Sequence, residues 1–232
     1  MDIILIPGFW LDASSWDEVT PSLEKAGHRV RALTLPGMES VDADRRGIGL
    51  RDHVNAVIEA VDEADGPVVL VGHSGGGGIA HAVADARPDR VTRVIYVDSG
   101  PLGDGGVIND EMTVENGEIP LDLSEFPPEE LRDMDDALLA SFRARAIPQP
   151  ARVATDRQEL HDERRYDVPA TVITCAFPSD QLKAWIAQGA PFVAELTALH
   201  DVEFVDLPTG HWPQFTKPKE LAQAILAAID RA

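Results

Sequence analysis

The 232-residue chain has a single cysteine, Cys175, so no internal disulfide can form. That thiol lies in the strand-like stretch TVITCAF, where it is expected to be buried and inert, and its isolation suits a reducing, cytoplasmic compartment. Long apolar runs are also missing: none approaches the roughly 18 to 20 residues that a membrane span requires. The opening MDIILIPGFW has no basic segment and carries an acid at position 2, so it is expected to form a first strand rather than an export signal. Basic residues are few, with 20 Lys and Arg against 40 Asp and Glu and a formal net charge of −20. Nucleic acid and anionic membrane both call for a basic face, so neither is an expected partner, and a small molecule is. The seven histidines include no H-x-H or H-E-x-x-H spacing, so no metal is expected.

What is present is the composition of an ordinary globular protein, 44% hydrophobic and 26% charged, long enough for one well-buried core in a single domain spanning 1–232. Strand-like runs IILIP (3–7), HRVRALTL (28–35), PVVLVG (67–72), VTRVIYVD (91–98), PATVITCAF (169–177) and VEFVDLP (202–208) alternate with helical patterns near 15–26, 49–65, 75–86, 180–199 and 217–231. Short strands that are apolar on both faces, separated by helices, predict an α/β fold with a mostly parallel sheet of about six strands covered on two sides. The rhythm breaks between about 101 and 168. There TVENGEI carries an Asn-Gly hairpin signal, and SEFPPEELRDMDDALLASFRARAIPQP reads as a proline-opened acidic helix followed by a second stop. An insertion at about 103–166 is expected to cap the C-terminal edge of the sheet.

Three motifs carry chemistry. In VVLVGHSGGGGIAHA (68–82), Gly72-His73-Ser74-Gly75-Gly76 fits G-x-S-x-G with a strand before it and a helix after it. In such a nucleophile elbow the serine sits in a strained turn that lifts its hydroxyl clear of the sheet, and a side chain at the flanking glycines would collide with neighbouring backbone. The N–H of Gly75, at a helix N-terminus, can face a developing oxyanion. In LPTGHWPQFTKP (207–218), His211 follows the last strand on a loop fixed by Gly210 and Pro213, which is where a general base for Ser74 has to arrive. In IPGFWLDASSW (6–16), a Pro-Gly turn after the first strand can aim the N–H of Phe9 at the same point, completing an oxyanion hole with Gly75.

A rival reading uses the same letters. Gly72, Gly76 and Gly78 also fit a dinucleotide pattern, with Asp98 placed where a ribose-binding acid would lie, as in an NAD(P)-binding oxidoreductase. Against it, the pattern follows the third strand rather than the first, and no Tyr-x-x-x-Lys pair appears later.

Taken together, PGFWLDASSW, GHSGGG and GHWPQF resemble the α/β-hydrolase superfamily, and in particular small esterases of the plant methyl-ester-hydrolase and hydroxynitrile-lyase type. The resemblance covers nearly the whole chain, starting from the superfamily's third strand. It implies a Ser-acid-His triad, a cofactor-free serine hydrolase that cleaves an ester or lactone through an acyl-enzyme, and a pocket roofed by the cap. A lyase or a ligand-binding receptor on the same fold is the alternative it leaves open. One departure is Pro7-Gly8 where the family has His-Gly. The acid has two candidates: Asp98 in YVDSGP, which is preferred, and Asp180, which follows TVITCAF but reads as a first-turn acid behind a Ser179 cap. For the substrate pocket the candidates are Trp10, His73, Phe126, Leu138, Phe142 and Trp212, an apolar lining suited to a compact substrate.

Overall fold

Each strand places side chains alternately on the two faces of a sheet, so a strand buried on both faces is apolar throughout. This is the pattern of β1 (Asp2–Ile6) from Ile3 onward, of β3 (Val68–His73) as far as Gly72 and of β4 (Val91–Val97) from Val94 onward. A computed structural model describes residues 1–231. Six parallel strands form one sheet in the order β2-β1-β3-β4-β7-β8, with β2 at Arg29–Ala32, β7 at Ala170–Thr174 and β8 at Val202–Asp206. One face buries Ile3, Leu5, Val69, Val71, Ile95, Val97 and Ile173 together with α1 (Thr20–Lys25) and α9 (Pro218–Ile229). The other buries Ile4, Ile6, Leu70, Val94, Tyr96 and Val172 beneath α2 (Leu50–Asp62) and α3 (Gly75–Ala86).

Residues between β4 and β7 carry a two-stranded antiparallel ribbon, β5 (Glu118–Ile119) with β6 (Gln149–Pro150), and the helices α4 (Asp136–Arg145) and α5 (Ala151–Thr155). The chain then closes with α6 (Ser179–Ala187), α7 (Ala194–Ala198) and α8 (Pro213–Thr216) before α9. The Asn116-Gly117 signal is a tight turn with both residues at positive φ, and Glu115 and Glu118 exchange backbone hydrogen bonds across it. Contacts tie this segment to the C-terminal ends of the strands: Trp10 Nε1 donates to the Ile119 carbonyl, Ile147 N–H to the Trp10 carbonyl and His211 N–H to the Glu130 carbonyl. Among the described residues no helix is long and apolar enough to cross a membrane.

Three expected helices need correction. The 15–26 pattern divides into a 3-10 turn at Ala13–Trp16 and α1, whose start is set by Pro21 in its first turn. The 180–199 pattern divides into α6, a 3-10 turn at Pro191–Val193 and α7, because Gly189 takes a left-handed φ of +67° and Pro191 cannot continue the hydrogen-bond ladder. The acidic helix does not open at Pro127-Pro128 either. It starts at Asp136, where the carboxylate of Asp135 accepts the Leu138 N–H.

A buried ionic network fastens α3 to β4, to the 3-10 turn at Glu163–Asp167 and to α7. Arg165 donates to Glu195 Oε1 (2.8 Å) and Asp85 Oδ1 (3.2 Å), while His81 bridges Glu195 and the Tyr96 hydroxyl at 2.9 Å each. Removing one partner of such a cluster strands the others in a medium of low polarity. Arg165→Ala is therefore expected to cost about 3–5 kcal/mol of unfolding free energy, read as a lower urea midpoint at unchanged slope.

Candidate active site

Parallel pairing sets two side chains next to each other. His73 is in register with Val97, so the residues one step beyond, Ser74 and Asp98, leave neighbouring strands side by side. Ser74 takes φ +51° and ψ −125°, with its N–H on the Val97 carbonyl at 3.1 Å and its own carbonyl held by the Ser99 hydroxyl (2.5 Å) and the Gly77 N–H (2.9 Å). A positive φ at a residue with a side chain is strained, and these bonds hold it there. Of the four glycines that follow, the first three are required by crowding. A Cβ on Gly76 would stand 2.7 Å from the Pro7 carbonyl oxygen and 2.8 Å from that of Ile6, and one on Gly75 would stand 2.6 Å from the Phe9 ring. A Cβ on Gly72 would meet the backbone of Gly76, and one on Gly77 the Ser99 hydroxyl. The spacing that also fits a dinucleotide pattern is thus taken up by packing of the elbow, and Asp98 faces a histidine.

That histidine is His211. Its Nε2 lies 2.9 Å from Ser74 Oγ and its Nδ1 lies 2.7 Å from Asp98 Oδ2. Asp98 also takes a positive φ, +44°, and its Oδ1 accepts the N–H groups of Cys175 (2.7 Å) and Ala176 (3.1 Å). Burial pushes the Asp98 carboxyl upward, and the His211 bond and charge with the two backbone donors more than reverse this, holding it below the ordinary carboxylate value. For His211, burial pushes the imidazole down, while the bond to Asp98 and the charges of Asp98 and Glu130 outweigh it and leave the group raised. Both directions describe one pair that favours imidazolium next to carboxylate.

The structure does not bring Asp180 to this centre. Its side chain is 91% exposed and pairs with Lys183 in the first turn of α6. Ser179 is not the cap of that helix but its first residue, and Asp206 accepts both its N–H (2.6 Å) and its hydroxyl (2.8 Å). The turn after β1 runs against Ser74, since a Cβ on Gly8 would stand 3.0 Å from Ser74 Cβ. The N–H groups of Phe9 and Gly75 meet no acceptor among the described residues. Cys175 is buried, as expected, and burial raises its thiol well above the ordinary value.

The candidate pocket residues divide. Trp10, Phe126, Trp212 and Phe142 form one row of edge-on and tilted rings, with successive ring centroids 5.7, 5.1 and 4.9 Å apart, and Leu138 is half-buried against the core to which this row belongs. Phe142 and Trp212 are each 1% exposed, so they form the packed wall behind the site rather than its lining. His73 does not line a pocket. Its ring is fully buried, with Nε2 on the His211 carbonyl and Nδ1 beside Gln214. Sequence reading overlooked Gln214, and only its position three residues after His211 marked it out.

An alpha/beta hydrolase family model matches residues 3–224. The chain belongs to the alpha/beta hydrolase family. It is 27% identical over 254 aligned residues to a pyrethroid hydrolase of Sphingobium wenxiniae, covering 99% of this chain and 88% of that protein. It is 26% identical over 261 to methylesterase 7 of Arabidopsis thaliana, covering 98% and 96% respectively. An extracellular alpha/beta-hydrolase from a Paenibacillus species, described as sharing structural and functional homology with tobacco salicylic acid binding protein 2, matches this hydrolase at a TM-score of 0.79. There the identity is 23%, over 98% of both chains, which is a likeness of fold.

The elbow glycines are not equivalent, and substitution should separate them. An alanine in a helix interior is worth about 1 kcal/mol over glycine. At Gly76 the new methyl would press on two fixed carbonyls, and overpacking of about 1–3 kcal/mol is expected to win. At Gly78 its nearest neighbour is Leu102 Cβ at 3.2 Å, on an irregular segment whose backbone need give only by a few tenths of an ångström. Thermal melts should therefore place Gly76→Ala below the parent protein and Gly78→Ala at or above it.

Proposed function

We propose that this hydrolase cleaves a small, largely apolar carboxylic ester, with Ser74 as nucleophile, His211 as general base and acid, and Asp98 as its orienting carboxylate. The observation that carries this reading is the unbroken chain from Ser74 Oγ through the His211 ring to Asp98 Oδ2, at 2.9 and 2.7 Å. The names of two relatives, a pyrethroid hydrolase and a methylesterase, support an ester as the bond attacked.

On this reading His211 Nε2 takes the Ser74 proton as Oγ adds to the ester carbonyl. The oxygen of the tetrahedral intermediate takes up negative charge, and the N–H groups of Phe9 and Gly75 donate to it. The intermediate collapses to an acyl-serine as His211 returns the proton to the departing alcohol. Water then adds to the acyl carbon, His211 takes its proton, and the acid leaves with Ser74 restored. Asp98 keeps the Nδ1–H tautomer in place and stabilises the imidazolium formed in each half-reaction. The segment at about 103–166 serves as a cap, and its half-buried Phe126 and Leu138 give the substrate an apolar surface.

Ser74→Ala is expected to lower kcat for p-nitrophenyl acetate by at least about 10⁴-fold, and a fluorophosphonate should label Ser74 alone. Retention of full esterase activity in that variant would falsify the assignment. Asp98→Asn should lower kcat by about 10³- to 10⁴-fold, whereas Asp180→Asn should leave it within about twofold, which separates the two candidate acids. Because only neutral imidazole accepts the serine proton, kcat/KM should fall as pH drops through the His211 pKa. That pKa lies above the ordinary 6.5, so the acid limb is expected above the position a free imidazole would give it.

A further inference from the structure

Two fully buried polar side chains, His73 and Gln214, stand next to the reacting groups without a part in the reaction described above. His73 Nε2 lies 2.7 Å from the carbonyl oxygen of His211. A carbonyl only accepts, so this nitrogen carries the proton. Nδ1 is then a bare lone pair, and Gln214 Nε2 at 3.2 Å donates to it. The amide has no other useful orientation, because turning it over would set oxygen against a lone pair. In this orientation its Oε1 meets no donor among the described residues. Leaving a carbonyl unpaired carries a penalty that a methionine of similar volume would avoid. The bond the amide does make is the one its N–H₂ group gives to His73.

Its effect is to hold one uncharged tautomer. A proton on Nδ1 would point at the hydrogens of the amide. Burial, and the charge that His211 takes up, push the His73 imidazole down to about 3. The ring centroids of His73 and His211 are 4.9 Å apart, and a charged His73 would oppose every imidazolium formed on His211. The peptide of His211 is meanwhile gripped from both ends, its N–H by the Glu130 carbonyl at 2.7 Å and its C=O by His73. His73 adjoins Ser74 in the chain, so one side chain ties the loop of the base to the strand of the nucleophile across 138 residues of sequence.

We infer that the Gln214–His73 pair positions the base, fixing the His211 peptide and so the reach of its imidazole to Ser74 without adding a second charge beside it. This rests on the reading of Ser74 and His211 as nucleophile and base. Both are positioning residues, since neither touches the reacting atoms.

The first measurement does not depend on turnover. In protein labelled with ¹⁵N-histidine, long-range ¹H–¹⁵N correlations should give His73 the neutral Nε2–H pattern from about pH 5 to 9. A neutral Nδ1–H ring, or a charged one, overturns the inference even if Ser74 and His211 prove catalytic. Two variants then test the consequence with p-nitrophenyl acetate. Gln214→Met frees the tautomer and should lower kcat roughly 10- to 100-fold with KM within about twofold. Gln214→Glu places a carboxylate at Nδ1 and should draw a proton onto His73. The acid limb of kcat/KM should then move to lower pH, since the new cation faces His211 through Nε2 while the carboxylate that pairs with it sits at Nδ1, on the other side of the ring. If both variants keep the parent near-UV circular dichroism, kcat and acid limb, the pair has no positioning role and the inference fails. Full activity in Ser74→Ala would instead remove the functional reading, while the tautomer pattern of His73 would still stand.

Discussion

The site depends on the register of two parallel strands. β3 and β4 pair so that His73 lies opposite Val97, and each chain then turns away at the next residue with φ reversed in sign. A slip of one residue would send Ser74 or Asp98 to the other face of the sheet and leave the remaining member without its partner. Nothing in the loops could repair that, because His211 arrives from the far end of the chain to a point defined by the other two. The register in turn is set by burial. All six residues of β3 are buried, and alternate members belong to different cores, so the strand has no second alignment that keeps both faces dry.

This explains why so much was legible in the sequence. Alternation of apolar runs with helical periods fixes the layers, and G-x-S-x-G between a strand and a helix marks Ser74 because the elbow needs its glycines for room. His211 could be found because a partner for Ser74 must come from a loop on the same edge of the sheet. Other features stayed hidden for physical reasons. The helix expected over 180–199 has helical periodicity on both sides of Gly189, and it breaks where a left-handed residue and Pro191 outweigh that periodicity. The prolines at 127–128 look like a helix start, yet the Asp135 carboxylate, seven residues after Pro128, is what satisfies a free first-turn N–H, that of Leu138. The wall of the site was predicted as its lining because apolar side chains that pack and those that touch substrate have the same composition. Gln214 gave no signal, since its role depends on the tautomer of a histidine 141 residues away.

Backbone strain follows the same geometry. Among the described residues five non-glycine positions take positive φ, and three of them, Trp10, Ser74 and Asp98, lie at the site. Each such residue costs on the order of 1–3 kcal/mol and persists only where its surroundings over-determine it. Trp10 is held at both ends, by its indole on the Ile119 carbonyl and by Ile147 N–H on its own carbonyl. Ser74 is held by Val97, Ser99 and Gly77, and Asp98 by the Ile173 carbonyl and three donors to its carboxylate. The insertion between β4 and β7 supplies both partners of Trp10, so it takes part in shaping the edge of the sheet.

The position of the acid links these points. A carboxylate on the loop after β7 would need that loop to be long enough to carry it toward His211. Here the loop is short and runs directly into α6, and the relation is inverted: Asp98, at the end of β4, reaches across and binds the loop through the N–H groups of Cys175 and Ala176. One carboxylate thereby orients the imidazole with one oxygen and anchors the neighbouring strand end with the other. Asp206 does the equivalent work one strand further on, where it accepts both donors of Ser179 at the start of α6. Asp180 is left on the surface with Lys183, because the two structural needs its position suggests, an acid for the base and an anchor for the helix, are already met from adjacent strand ends.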